Sequence, residues 1–245
     1  MESIKELRKI CQKQGEAGKE SFINRFFRNF SIYFTWFFLH FKRLTANQVT
    51  IWGTVLFVLG SLCFIKGEYW WSLTGIALLW LAHIIDLSDG EVARYRGSGS
   101  GLGGSFMEPM THDIKCAALF IPLALGAYAA FVYPILLILL GFSASMFKVL
   151  LRLAKLRYIS AILQSGRQSE GAYRKAGERA FYSDKRLKRI LSSFGGITTG
   201  IIFWIPLAVI IDKVSLIVIF YGILSPLMYF VLLFKQYQGI KNIKT

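Results

Sequence analysis

Apolar residues run in blocks along this chain rather than alternating with polar ones. Residues 49–66, 70–85, 117–147, 197–211 and 214–234 are almost free of charge. A helix crossing the hydrocarbon of a bilayer needs about 20 such residues, and these blocks supply that length. The third is long enough to hold the end of one helix and parts of two spans. The pattern predicts an all-α integral membrane protein of six transmembrane helices.

Residues 20–44 behave differently. Phe26, Phe27, Phe30, Phe34, Phe37 and Phe38 recur near helical spacing among Arg25, Arg28, Lys42 and Arg43. That mixture predicts an N-terminal amphipathic helix lying in the membrane interface, with basic groups toward anionic head groups and aromatic edges in the acyl boundary. A seventh span is the competing reading, which Arg25, Arg28 and Asn29 disfavour. Residues 44–50 then mark the entry to the first span. Gly67 to Trp71 reads as a tight outer turn, with Tyr69, Trp70 and Trp71 as an interfacial belt. A third helix is expected from about Phe106, bending near Pro122 and ending around Tyr133, and a fourth returns to Lys148 and Arg152. The basic stretch 153–192 reads as a surface helix with a flexible centre, because residues 164–177 have no apolar period. Three segments follow: an N-terminal and interfacial part (1–48), a six-helix membrane domain (49–235) with a basic loop at about 153–195, and a tail (236–245).

Composition agrees with a membrane protein: 54% of residues are hydrophobic and 18% charged, with mean hydropathy +0.48. The net charge of +15 does not point to nucleic acid, because the basic residues gather in alternate connections. Nine Lys or Arg precede residue 49, two lie at Arg94 and Arg96, eleven fall between Arg152 and Arg189, and three follow Phe234. The opposite turns hold only Lys66 and Lys213. By the positive-inside rule both termini and the basic connections are cytoplasmic, which requires an even number of spans. A cytoplasmic (inner) membrane is the expected location. The first 20 residues lack the apolar core of a cleavable signal, so the first span is expected to act as one. Cys11, Cys63 and Cys116 have no paired spacing and read as apolar filler.

Candidate chemistry lies where the second span ends. Asp86 and Asp89 are three residues apart, on one helical face and within reach of a shared cation. Gly90 and Ala93 leave a shallow trough beside them, where a flat ligand can approach the backbone. On the next helix Glu108 and His112 share a face, with Asp113 adjoining. Packing the two helices together would bring Asp86, Asp89 and Glu108 into a hard-oxygen pocket suited to magnesium or manganese, with His112 as base or additional ligand. Two such cations can hold a diphosphate and activate an attacking hydroxyl. A salt-bridged collar of snorkelling charges is the bland alternative for an isolated Asp-x-x-Asp.

These residues resemble the CDP-alcohol phosphotransferase (CDP-alcohol phosphatidyltransferase) family, whose signature is DxxDGxxAR followed by GxxxDxxxD. Asp86, Asp89, Gly90, Ala93 and Arg94 fill every defined position of the first half. In the second half Gly104 follows Arg94 after nine residues, Glu108 stands for the third aspartate, and His112 stands where the proposed base, the fourth aspartate, belongs. The resemblance implies a six-helix homodimer in phospholipid or related biosynthesis. It assigns Asp86, Gly90, Ala93 and Arg94 to the CDP moiety, and Asp86, Asp89 and Glu108, with His112 as a further candidate, to two magnesium or manganese ions. Either His112 or Asp113 would be the base. Its reaction joins a CDP-linked donor to an alcohol, lipid or glycan acceptor and releases CMP.

Other signals carry less. Gly99 to Gly104 spell GxGxxG, but no strand precedes them, so a mobile loop between the site helices is the better reading than a dinucleotide site. His83 reads as a packing residue one turn before Asp86, and His40 as structural. Lys148, Arg152 and Lys155 are candidates for an acidic acceptor, or simply anchors at the basic side. A transporter is disfavoured by the absence of an evident inverted repeat and by acidic groups gathered at one surface. A non-catalytic nucleotide- or lipid-binding relative remains the alternative, given Glu108 and His112.

Overall fold

The computed structural model describes residues 2–12, 22–98, 102–129, 131–164 and 200–244. These residues are mostly helical, with no strand among them. In chain order the helices are α1 (Ile4–Cys11), α2 (Phe22–Leu39), α3 (Ala46–Cys63), α4 (Tyr69–Tyr95), α5 (Leu102–Ala127), α6 (Pro134–Gln164), α7 (Ile202–Ile210) and α8 (Val214–Lys244).

Four of them, in α3, α4, α6 and α8, are long and apolar enough to cross a membrane: Ala46–Lys66, Tyr69–Tyr95, Pro134–Ile162 and Val214–Ile240. The described residues therefore support a membrane protein with four candidate spans rather than the expected six. The reason is visible in the other two segments. Helix α5 carries Glu108, Asp113 and Lys115 in its first half, and only nine residues of α7 are described.

Local chemistry sets the ends of the α3–α4 hairpin. Thr45 caps α3 by accepting from the Gln48 amide, while the Gln48 side chain accepts from the Thr45 amide. This reciprocal cap starts the helix at Ala46, three residues before the apolar block. At the far end Gly67 adopts φ +67°, a left-handed conformation that costs glycine little. Between the ends, Gly60 and Gly75 face each other. A Cβ on Gly75 would lie 2.8 Å from the Gly60 carbonyl oxygen, so the missing side chains let the two backbones close. Small residues serve membrane helices in this way, because lipid offers little hydrophobic drive for association.

The main core lies among α3, α4, α5, α6, α7 and α8, around Phe57, Leu79, Leu119, Phe120, Leu123, Leu137 and Ile205. Helix α5 begins at Leu102, earlier than expected, and continues through Pro109 and Pro122. Helix α6 continues to Gln164. The remainder of the predicted surface helix, residues 165–192, and residues 99–101 of the glycine-rich loop lie outside the described residues.

Helix α2 buries Phe27, Ser31, Ile32, Thr35 and Leu39 and exposes Phe26, Phe30, Tyr33, Trp36 and Phe37. Its packed side is thus partly polar and its open side aromatic. A smaller core of Leu7, Cys11, Ile32, Leu39 and Val92 ties α1 and α2 to the end of α4.

Candidate active site

Glu91 explains why α1 and α2 sit against the motif helix. Its side chain is completely buried, and a buried carboxylate must be hydrogen-bonded and balanced by positive charge to persist. Ser31 and Thr35, one turn apart on α2, donate to its two oxygens at 2.8 and 2.6 Å. Gln12 donates at 3.0 Å, and Arg28 Nη1 lies 3.5 Å away. Two arginines complete the attachment. Arg94 Nε donates to the Cys11 carbonyl at 2.5 Å, while Arg96 donates to the carbonyls of Leu44 and Phe41.

Asp86 and Asp89 lie on α4 one turn apart, within electrostatic range of each other. Each already has a partner. The Thr50 hydroxyl, from α3, donates to Asp89 Oδ2 at 2.5 Å. The Lys115 ammonium, from α5, donates to Asp86 Oδ1 at 2.5 Å. The trough at Gly90 is overlain by Arg94, whose Nη1 would be 3.3 Å from a Cβ there.

The expected α4–α5 packing differs from the observed arrangement. Helix α5 packs chiefly on α3 and α6, and Lys115 reaches across to Asp86. Glu108 is exposed. Among the described residues no three His, Cys, Asp or Glu side chains converge into a group able to hold a metal. The pocket of Asp86, Asp89 and Glu108 is thus not closed in this conformation. Its donor chemistry, carboxylate oxygens alone, still suits magnesium or manganese.

His112 is half-buried, within electrostatic range of Asp86, Glu108, Lys115 and Arg152. Asp113 is differently engaged. It pairs with Arg152, which also donates to the Pro109 carbonyl at 3.1 Å, so the two residues brace α5 against α6. Lys148 is buried, with its ammonium 4.7 Å from the centre of the Tyr221 ring; Lys155 is half-buried on the same helix. His83 is buried with neither ring nitrogen hydrogen-bonded and with Phe27 edge-on at 5.0 Å, an environment of packing.

The family model for CDP-alcohol phosphatidyltransferase matches residues 43–224, more than half of the 245-residue chain. The chain belongs to this family. As a CDP-alcohol phosphatidyltransferase family member it falls among transferases that act on CDP-alcohols. No curated protein matches it. The family match includes the Asp86–Arg94 motif and Glu108–His112 but begins at Arg43, so α1 and α2 lie outside it. Lys115 and the partners of Glu91 escaped the sequence reading. The available signal for Lys115 was its spacing: positions 108, 112 and 115 fall on one helical face.

Proposed function

We propose that this chain transfers a phosphatidyl or phospho-alcohol group from a CDP-linked donor, CDP-diacylglycerol or a CDP-alcohol, to the hydroxyl of an alcohol, lipid or glycan acceptor. The acceptor oxygen forms a bond to the phosphorus carrying the transferred group, and the bond from that phosphorus to CMP breaks. The observation that carries this reading is the complete Asp86, Asp89, Gly90, Ala93, Arg94 set at one end of α4, inside the family match.

In this reading Gly90 and Ala93 leave the helix backbone open to the nucleotide, and Asp86 and Arg94 orient its sugar and phosphates. Arg94 exchanges the Cys11 carbonyl for phosphate oxygens, a stronger charge-assisted partner. Asp86, Asp89 and Glu108 would hold magnesium or manganese, which supplies positive charge toward the diphosphate and the departing CMP. His112 takes the proton of the attacking hydroxyl, as a neutral imidazole can near neutral pH. Asp113 is the weaker candidate for that role because Arg152 already engages it. Lys148 and Lys155, with Arg152, line the approach for an anionic acceptor.

The proposed setting is a cytoplasmic membrane with both termini and the site on the cytoplasmic side. Six spans result if α5 and α7, with their flanking residues, also cross, and α2 lies in the interface with its aromatic side toward lipid. A homodimer is the proposed assembly, and nucleic acid is no partner. The test is CMP release by purified full-length protein in bilayers, with CDP-diacylglycerol or a panel of CDP-alcohols and magnesium or manganese. Asp89→Asn should abolish release, and His112→Ala should lower it by about 10²–10⁴-fold. Full activity in Asp89→Asn would refute the site, and loss confined to Asp113→Ala would reassign the base. Nucleotide binding without turnover would favour the non-catalytic relative.

A further inference from the structure

Helices α6 and α8 run side by side in the same direction. Ser143 donates to the Gly222 carbonyl at 3.0 Å near their starts, and Gln236 donates to the Ala154 carbonyl at 3.4 Å toward their ends. At those ends lies a cavity of about 510 Å³, lined by residues of α6 and α8, a volume in the range of ligand sites. A small core of Leu151, Ala154 and Leu232 joins the helices beside it.

The cavity changes character along the helix axis. Leu150 and Leu153 of α6 and Leu233 of α8 line one part, inside the two stretches apolar enough to cross a membrane. Arg157 and Tyr237 line the other, and both are exposed. From Leu150 to Arg157 the helix rises about 10 Å, so a charged mouth stands above an apolar cleft. No acidic residue lines it, and among the described residues no ion pair or hydrogen bond engages Arg157. Arg152 reaches Asp113 near the start of α5, so the charged mouth lies at the end of the bundle where α4 carries its motif.

This face of α6 is not the one turned toward the candidate active site. Lys148, Arg152 and Lys155 recur at helical spacing on one side, which Arg152 joins to α5. Leu150, Leu153 and Arg157 fall on the opposite side.

We propose that the cleft between α6 and α8 binds one anionic diacyl phospholipid from the surrounding bilayer, with its phosphate on Arg157 and the upper part of an acyl chain along Leu150, Leu153 and Leu233. A guanidinium fork matches phosphate oxygens, and basic pockets between spanning helices take acidic head groups. The Tyr237 ring suits the level of the membrane interface. A zwitterionic head group brings its own cation beside the phosphate, so Arg157 selects for net negative charge. The site is separate from the donor and acceptor positions and does not depend on the transferase reading.

The experiment titrates delipidated, purified full-length protein in detergent with phosphatidylglycerol or phosphatidylcholine, and native mass spectrometry counts the lipids retained per chain. Circular dichroism checks that each variant is folded. One phosphatidylglycerol per chain should bind first, about fivefold more tightly than phosphatidylcholine, the effect of one cation at a membrane surface. Arg157→Gln should abolish that preference and Arg157→Lys should keep most of it. Ala161→Trp, which places an indole against the cavity, should weaken both lipids. Equal affinity for the two lipids in the wild type would overturn the proposal, as would a preference unchanged in folded Arg157→Gln. Loss of phosphatidylglycerol in Lys148→Gln but not in Arg157→Gln would put the lipid on the other face of α6, against the proposal. A lipid-free dimer that dissociates in Ala161→Trp would give the cleft to a second copy instead.

Discussion

Replacing Glu91 with alanine should release α1 and α2 from the end of α4 without unfolding the spans. The carboxylate is buried and takes hydrogen bonds from Ser31, Thr35 and Gln12, with Arg28 beside it. Removing one partner of such a buried charge pair costs about 3–5 kcal/mol, because the remaining groups stay desolvated and unmatched. The apolar seam of Leu7, Ile32 and Leu39 survives the change. At about 1.5–3 kcal/mol for each fully buried side chain, an upper bound since α2 can stay partly buried when released, it offsets a loss of that size. The segment should therefore loosen rather than disorder. A loss of about 3–5 kcal/mol shifts an opening equilibrium by roughly two to nearly four orders of magnitude. Limited trypsin digestion in lipid nanodiscs reads that shift at Arg25 and Arg28, provided reclosing is faster than cleavage. Ser31→Ala, which deletes one donor, should have a much smaller effect, about 1 kcal/mol. If Glu91→Ala is cleaved at the wild-type rate, the buried carboxylate does not anchor the N-terminal helices.

Two further outcomes follow from the same geometry. Burial, with the Glu91 carboxylate adding to it, pushes the Cys11 thiol up to about 11; since thiolate is the reactive form, iodoacetamide labelling at pH 8 should be about 100-fold slower than for an ordinary thiol and should climb as pH approaches 11. Mass spectrometry of the labelled peptide measures this, and labelling as fast as in the denatured chain would contradict it. Gly75→Val places a Cβ 2.8 Å from the Gly60 carbonyl and 3.0 Å from the Phe64 ring, an overpacking that should cost about 1–3 kcal/mol and lower the thermal midpoint by several degrees; an unchanged midpoint would mean that the α3–α4 seam has room to spare.

How much of this was legible in the sequence depended on the range of the interaction. Asp86 and Asp89 could be put on one face because helical spacing is local, and the Gly67 turn follows from a residue that tolerates positive φ. Even the start of α3 at Ala46 was within reach, since Thr45 and Gln48 form the reciprocal cap. The neighbour that each helix chooses was not local. Spacing alone offered α5 to α4, whereas side-chain volume sent it to α3 and α6, where a Cβ on Gly141 of α6 would meet the Phe120 carbonyl at 3.0 Å. Glu91 stood out as a charge, but its partners Ser31 and Thr35 lie 60 and 56 residues away. Arg94 could be assigned to phosphate by its motif, yet its present partner is a backbone carbonyl, which no pattern of side chains announces.

The departures in the second half of the motif become related once α5 is seen as one surface. Glu108, His112 and Lys115 occupy successive turns of one face. Taken singly, histidine in an acidic position reads as a lost base, and a lysine in a membrane helix reads as an oddity. Glu108 keeps the aspartate's charge, but His112 and Lys115 make this face less negative, and the lysine delivers its charge directly to Asp86. Arg94, meanwhile, is held by the Cys11 carbonyl from a helix outside the family match. Both α4 groups that would face a donor diphosphate are thereby held by protein partners of the appropriate kind: a cation for the carboxylate and an oxygen for the guanidinium. In the proposed reading such a site is ordered before substrate arrives, and the donor engages Arg94 by taking the place of the Cys11 carbonyl.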